Sequence, residues 1–206
     1  MHVPDGIIPF NFLIIYAIIA IILLVYVFYN ARGKQLSEKN IPLIALFVVA
    51  TVIVQFIELP IIPLACIHLS LIAIIALYDV KTSMIVYMFV TIIQAFLGEG
   101  GVSTLGINLL NLAIIAPLLA YGIYHILHKI NRDIALFASG FGAVAVIGLI
   151  VAIEYAVAGT LPITYGLYTI VPVEIFVGIL EGIATVLVMR LLSKVKPELV
   201  PVMNDN

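Results

Sequence analysis

The residues best suited to chemistry stand at the start of the chain, where residues 1–6 have the sequence Met-His-Val-Pro-Asp-Gly. A histidine at position two places three nitrogens in one short arc: the α-amine of Met1, the backbone amide of His2 and the His2 imidazole. Such an arc can chelate a divalent cation in tetragonal geometry, with one position left for a donor from elsewhere in the chain. This geometry suits Ni(II) or Cu(II) and can also accept Co(II).

The composition indicates that the chain is embedded in a lipid bilayer. Hydrophobic residues make up 65% of the 206 residues and charged residues only 10%, whereas soluble proteins have about 45–50% and about 25%. Because so few polar groups cannot cover the core of a soluble protein, we predict a polytopic membrane protein. No basic run indicates a nucleic-acid partner. The single cysteine, Cys66, excludes an internal disulfide and any cysteine-rich metal site.

Seven apolar stretches predict an all-α transmembrane bundle of about seven helices, because most have the roughly 18–25 residues that cross a bilayer. The fourth stretch is shorter, so it is either tilted or partly re-entrant. Between the fourth and fifth, residues 98–106 contain four glycines, which argue against a continuous helix. The predicted spans are Ile8–Tyr29, Ile41–Leu59, Ile61–Tyr78, Met84–Leu97, Ile107–Leu127, Ile134–Val157 and Gly166–Leu192.

The basic residues predict the orientation. All nine Lys and Arg residues follow an odd-numbered span. The positive-inside rule therefore places the C-terminus in the cytoplasm and the N-terminus outside the cell membrane. We expect residues 1–206 to form one integral membrane domain, with residues 1–7 as an extracellular metal-binding terminus and residues 193–206 as a polar, frayed cytoplasmic tail.

His68 is the histidine best placed to complete the N-terminal arc. It lies about a third of the way into the predicted third span from the outer side, where a histidine is costly unless it is paired or functional. A hydrogen bond to a carbonyl of a neighbouring helix is an alternative role of similar weight. His125 and His128 end the fifth span on the cytoplasmic side, where lipid headgroups or the helix dipole explain them better.

Acidic residues in the last two spans form a second constellation. Glu174 and Glu181 are seven residues apart and therefore share one helix face. Intramembrane carboxylates indicate function by default, and two roles stay open: a network with Asn108, Asn111 or Gln94, or ion passage. Glu154, near the outer end of the sixth span, is expected at the interface.

Three segments resemble one family, the M component of cobalt and nickel importers of the energy-coupling-factor type. Residues 1–6 resemble its opening Met-His-Ile-Pro-Asp-Gly. Residues 94–111 are similar to its Gln-Ala-…-Asp-Gly-Gly-…-Thr-x-Leu-Gly-x-Asn-…-Asn segment, and residues 178–185 match its Gly-x-x-Glu-Gly-x-x-Thr motif. The resemblance runs from the first residue into the last span.

The resemblance implies a subunit that captures Co(II) or Ni(II) with Met1, His2 and His68, the ion being transported substrate rather than a resident cofactor. It implies no enzymatic activity, since the energy comes from a partner membrane coupling subunit and a pair of ABC ATPases. A small accessory membrane subunit is a further candidate partner. In agreement, the chain has no Gly-x-x-x-x-Gly-Lys-Ser/Thr phosphate loop. The candidates beside the ion or along its path are Cys66, Glu99, Asn108, Asn111, Glu174 and Glu181.

The chain also departs from the family pattern at two places. Residues 63–68 read Pro-Leu-Ala-Cys-Ile-His where the family usually has Gly-Gly-Thr-Ser-x-His, and Glu174 replaces a common histidine. The missing hydroxyls are groups that orient a ligating imidazole. Two alternatives therefore stay open: a membrane scaffold or sensor that has lost the metal, and a self-contained cation transporter with Glu174 and Glu181 as relays.

Overall fold

A computed structural model describes the backbone of residues 2–57, 59–62 and 65–203. Within these ranges it describes the side chains of all residues except 59–62, 65–66 and 203. Two of the predicted site groups, Met1 and the side chain of Cys66, therefore lie outside what the structure describes.

Seven helices dominate the described residues, which confirms the prediction of a helical membrane bundle. Five of them, α1 and α4 to α7, are long and apolar enough to cross a membrane, while α2 has 15 residues and α3 has 7. The protein is therefore a multi-pass membrane protein. The helices are α1 (Phe10–Ala31), α2 (Ile41–Gln55), α3 (Ile72–Tyr78), α4 (Val80–Leu97), α5 (Leu105–Leu127), α6 (Arg132–Val157) and α7 (Ile163–Val195).

The prediction of a continuous third span over Ile61–Tyr78 is wrong. Two short antiparallel strands, β1 (Leu59–Ile62) and β2 (Ala65–Ile67), occupy its first half. Residues 68–71 then run without regular structure into the short helix α3. The physical reason lies in two prolines, at positions 60 and 63, which lack the N–H that a helix interior needs. His68 consequently stands on irregular backbone rather than on a helix.

Helix boundaries also depend on local chemistry that hydropathy does not record. Helix α4 begins at Val80, ahead of the predicted Met84, because the Asp79 side chain accepts a hydrogen bond from the Thr82 N–H at 2.7 Å and caps the helix. Helix α2 ends at Gln55, four residues before the predicted end.

Prolines inside α5 and α7 do not end these helices. In α5 a π-helical segment, Leu109–Ile115, directly precedes the turn that contains Pro117. In α7 the π-helical segment Gly166–Ile170 likewise directly precedes the turn that contains Pro172. A local π turn lets the backbone accommodate a missing N–H inside a membrane helix.

Helices α6 and α7 approach closely at the Gly-x-x-Glu-Gly motif. A Cβ atom at Gly178 would lie 2.9 Å from the Phe141 carbonyl oxygen, and one at Gly182 would lie 2.8 Å from the Phe137 carbonyl oxygen. Small residues of this kind let membrane helices pack backbone against backbone. The glycines of the motif therefore serve helix packing and leave its glutamate buried beside them.

The two ends of the bundle differ in character. The helix directions bring residues 2–8 and the loop 98–104 together at one end, and they place all nine Lys and Arg residues toward the other. At that basic end the tail folds back in two 3-10 turns, Pro197–Leu199 and Pro201–Met203. Val200 is fully buried there and the Tyr124 hydroxyl donates to the Val202 carbonyl at 3.0 Å. The expectation of a frayed tail is therefore wrong for residues 197–202.

Candidate metal centre

The N-terminal segment lies against the start of α5 as an extended peptide held by Asn108. The Val3 N–H donates to Asn108 Oδ1 at 2.8 Å, and Asn108 Nδ2 donates to the Val3 carbonyl at 3.0 Å. The Thr104 hydroxyl donates to the same carbonyl at 2.7 Å. With its backbone satisfied and its side chain fully buried, Val3 fixes the position of His2 beside it.

Asp5 joins the N-terminal segment to the glycine-rich loop 98–104 through hydrogen bonds. Its carboxylate accepts hydrogen bonds from the backbone N–H groups of Val102, Ser103 and Thr104, at 3.2, 2.9 and 3.3 Å, and from the Ser103 hydroxyl. The Ser103 hydroxyl contributes most to lowering the pKa of Asp5, and the backbone donors add to it against a small effect of burial. A Cβ atom at Gly101 would lie 2.1 Å from Asp5 Oδ1, so this contact requires glycine.

The docked segment brings three potential ligands together. His2, His68 and Glu99 each offer one ligand atom, and these atoms all lie within 4.8 Å of one another. His2 Nδ1 is 3.2 Å from Glu99 Oε1, and the two imidazoles stack with their centroids 6.2 Å apart. The His68 residue is 3% exposed, and the side chains of His2 and Glu99 are 7% and 12% exposed.

The electrostatics of this cluster favour a bound cation. His2 Nε2 and His68 Nδ1 are buried and have no hydrogen-bond partner among the described residues, an arrangement that costs free energy unless something else binds there. Burial is the main cause that holds the pKa of His68 far below its usual range, so its imidazole is neutral and able to ligate. Burial disfavours the Glu99 carboxylate, but His2, His68 and Gln94 outweigh it and lower the pKa of Glu99.

A pair of buried glutamines supports Glu99 from behind. Gln94 Nε2 donates to Glu99 Oε2 at 2.7 Å and to Gln55 Oε1 at 2.7 Å. Both glutamines are almost fully buried, with 0% and 2% exposure. One Glu99 oxygen is therefore oriented by the bundle, and the other faces the imidazoles.

Comparison with known proteins identifies the family of the chain. The family model described as the cobalt uptake substrate-specific transmembrane region, CbiM, matches residues 2–199. The chain belongs to the CbiM family.

Several relatives are similar along most of their length. A cobalt transport protein CbiM from Thermosipho melanesiensis is 29% identical over 94% of this chain and 87% of its own length. A protein from Archaeoglobus fulgidus that carries the name fused nickel transport protein NikMN is 25% identical over 97% of this chain and 68% of its own length. A crystal structure described as a transition metal transporter matches with a TM-score of 0.82 and 26% identity, covering 95% of this chain and 93% of that one.

The structure places the remaining predicted site residues in this CbiM-family fold. Asn108 lies beside His2, whereas Asn111 donates from Nδ2 to Glu154 Oε2 at 2.9 Å, within the bundle. Glu154, which was expected at the interface, lies three residues before the end of α6 and is buried, with 6% exposure. Its partner could not be predicted from the sequence, because Asn111 is 43 residues away on another helix.

Glu174 and Glu181 both lie buried in α7 but have different neighbours. Glu174 packs on Gly148 of α6, where an added Cβ would lie 2.5 Å from the Glu174 Cβ. Glu181 Oε2 accepts a hydrogen bond from the Ser70 N–H at 2.7 Å. Of the two roles left open for these glutamates, a network with amides and ion passage, these contacts decide neither. Asn108 binds Val3, Asn111 binds Glu154, and Gln94 binds Gln55 and Glu99.

Sequence reasoning missed Gln55 and Asp5 as site residues. Gln55 carried a usable signal, because an uncharged polar residue in an apolar stretch calls for a buried partner. Asp5 carried none beyond its place in the opening motif, since its partners in the loop are about a hundred residues away.

Proposed function

We propose that this protein is the substrate-capture subunit of an ATP-driven importer for Co(II) or Ni(II), and that it binds the ion at the outer face of the membrane. The single observation that carries the proposal is the convergence of His2, His68 and Glu99 to within 4.8 Å. Their meeting depends on an N-terminal segment docked so that His2 points into the bundle. Membership of the CbiM family supports transport of these ions.

The ligand set that we propose starts from the nitrogens of the N-terminal arc. The Met1 amine, the His2 amide and the His2 imidazole form a tetragonal set that His68 completes. Glu99 then supplies an oxygen or orients the His2 ring. Two ligand atoms that bind one ion at about 2.1 Å, at right angles, lie about 3 Å apart, which is compatible with the 3.2 Å between His2 Nδ1 and Glu99 Oε1.

Capture and release then involve the same contacts. Docking of Val3 on Asn108 and of Asp5 on loop 98–104 closes the N-terminus over the ion, and release requires these hydrogen bonds to open. The partners that we propose are those of energy-coupling-factor importers: a membrane coupling subunit and a pair of ABC ATPases, which supply the energy of opening. The basic end of the bundle is the cytoplasmic one by the positive-inside rule.

The role of the N-terminal amine is testable with a two-residue extension. Adding Gly-Ser before Met1 moves the amine away from the His2 imidazole, so we expect loss of stoichiometric Co(II) and Ni(II) binding by calorimetry. The control is the same two residues added after Asn206, which should bind one equivalent. Undiminished binding by the N-terminally extended protein would contradict the proposed ligand set.

Transport by the purified chain in proteoliposomes tests its dependence on partners. We expect no Co(II) uptake by this chain alone and ATP-dependent uptake once the coupling subunit and ATPases are added. Uptake by the chain alone would favour a self-contained transporter. Copurification with the partners in the absence of any metal binding would favour a scaffold.

A further inference from the structure

We propose that Glu181 is a positioning residue for the ion ligand His68. Together with Gln55 and Tyr87, its carboxylate fixes the peptide groups of Ser70, two residues beyond the imidazole. The inference rests on the proposed function, because it concerns how the same ion site is shaped.

The segment that carries His68 needs external support. Residues 68–71 have no regular structure, and Ser70 is fully buried. Backbone N–H and C=O groups inside a membrane bundle must find partners, and irregular backbone there has none of its own. Leu71 adds a further demand, since its φ of +61° lies in the left-handed region, which is unfavourable for a residue with a side chain.

Three side chains from three helices meet that need at Ser70. The Ser70 N–H donates to Glu181 Oε2 of α7 at 2.7 Å. The Ser70 carbonyl accepts from Gln55 Nε2 of α2 at 3.2 Å and from the Tyr87 hydroxyl of α4. All three side chains are almost fully buried, so water does not compete for these bonds. Because two residues of chain span at most about 7 Å, fixing Ser70 restricts where the His68 imidazole can lie.

The same hydrogen bonds continue to the second ion-facing side chain. Gln55 Oε1 accepts from Gln94 Nε2, which also donates to Glu99 Oε2. The network therefore ends at Glu99 on one side and at the His68 segment on the other. A change at Glu181 should consequently alter the geometry of the ion site without removing a ligand.

This role also explains the Gly-x-x-Glu-Gly-x-x-Thr motif at residues 178–185. Its glycines bring α6 against α7, and the Thr185 hydroxyl donates to the Glu181 carbonyl at 2.7 Å. The motif thus holds one carboxylate at a fixed depth, facing Ser70. What Glu181 contributes in this arrangement is a hydrogen-bond acceptor, which a glutamine can replace and a methionine cannot.

The test compares Glu181→Met and Glu181→Gln in the full-length protein with its native N-terminus, using Co(II) as the probe. We expect Glu181→Met to lower Co(II) affinity by about 10- to 100-fold, the usual effect of losing support behind a ligand, and to change the Co(II) ligand-field absorption. Glu181→Gln should keep an affinity and a spectrum close to the native ones. The control is Glu154→Met, the same change at a buried carboxyl that binds Asn111, which should leave both unchanged.

The outcomes separate this inference from the proposed function. Native affinity and spectrum in Glu181→Met would overturn the positioning role while leaving ion capture intact. Loss of binding in Glu181→Gln as complete as in Glu181→Met would also overturn it, because the charge would then matter rather than the acceptor. Failure of the native protein itself to bind Co(II) or Ni(II) would instead overturn the proposed function.

A milder variant decides the case if Glu181→Met does not fold. Tyr87→Phe removes a single hydroxyl from the same Ser70 carbonyl. We expect a smaller loss of Co(II) affinity and a shifted absorption spectrum. An unchanged affinity and an unchanged spectrum would overturn the inference.

Discussion

At the scale of the residue, the candidate metal centre is shaped by side chains that form hydrogen bonds with backbone groups. The Asn108 side chain accepts a hydrogen bond from the Val3 N–H and donates one to the Val3 carbonyl, and Asp5 accepts hydrogen bonds from three consecutive N–H groups of the loop. Neither side chain needs to touch the ion. Each instead lowers the free energy of the docked N-terminus, in which His2 reaches His68 and Glu99.

Replacing Asn108 with leucine should weaken ion binding and destabilise the fold. The buried Val3 N–H would lose its Asn108 acceptor, which costs about 1–3 kcal/mol for a group left unsatisfied, and the Val3 carbonyl would keep the Thr104 hydroxyl as its donor. We expect a lower thermal midpoint and weaker Co(II) binding by calorimetry. Asn30→Leu, at an exposed asparagine whose Nδ2 donates to the Tyr26 carbonyl one helical turn away, is the control and should stay within about 0.5 kcal/mol of native. Equal thermal midpoints and equal Co(II) affinities in the two variants would contradict the role of Asn108 in holding Val3.

Substituting Gly101 with alanine should open the N-terminal segment. The new Cβ would lie 2.1 Å from Asp5 Oδ1, so the carboxylate must leave the loop. We expect weaker Co(II) binding, measured by calorimetry.

Gly122→Ala is the matched control, because among the described residues no atom outside its chain neighbours and the backbone of its own helical turn lies within 4 Å of the position of its Cβ. Alanine also favours the helix there by up to about 1 kcal/mol, so ion affinity should not fall. Native affinity in Gly101→Ala would show that the Asp5 contact does not support the site.

At the scale of the element, hydropathy predicted the long helices and failed at the site. Length and apolar composition suffice for α1 and α4 to α7, since those features are what a bilayer requires of a helix. The pair of strands before His68 is as apolar as a helix, so hydropathy cannot distinguish the two, and only the prolines of this segment indicated the difference. The meeting of Glu99 with His2 depends on contacts across almost a hundred residues, which no local pattern encodes.

Docking of the N-terminal segment on loop 98–104 should depend on pH through Asp5. The docked state lowers the pKa of Asp5 below the usual 3.8, so docking is favoured by the ionised carboxylate. Its contribution is fully present above about pH 4 and is lost as pH falls through the lowered pKa. The hydrogen-exchange protection factors of Val102 and Ser103, which correct for the intrinsic effect of pH, should therefore fall on acidification of the ion-free protein. In Asp5→Asn they should depend less on pH; an equal fall would contradict the assignment.

At the scale of the whole molecule, the candidate metal centre and the basic residues occupy opposite ends of the bundle. Between them, large apolar side chains remain exposed along the long helices, as expected of surfaces that face lipid or a membrane partner. In α1 only five of the 22 residues are buried. The opposite placement of the ligand cluster and the basic residues is consistent with the proposed capture of the ion on one side of the membrane.

The metal content of the purified protein shows whether His2, His68 and the N-terminus bind an ion together. We would load the protein, with its native N-terminus, with Co(II) or Ni(II), remove the free ion and count bound metal by mass spectrometry beside His68→Ala. We expect one equivalent in the native protein and a loss of that equivalent in the variant, because the substitution removes the nitrogen donor that completes the proposed ligand set. Absence of metal from the native protein, or one full equivalent retained by His68→Ala, would contradict it.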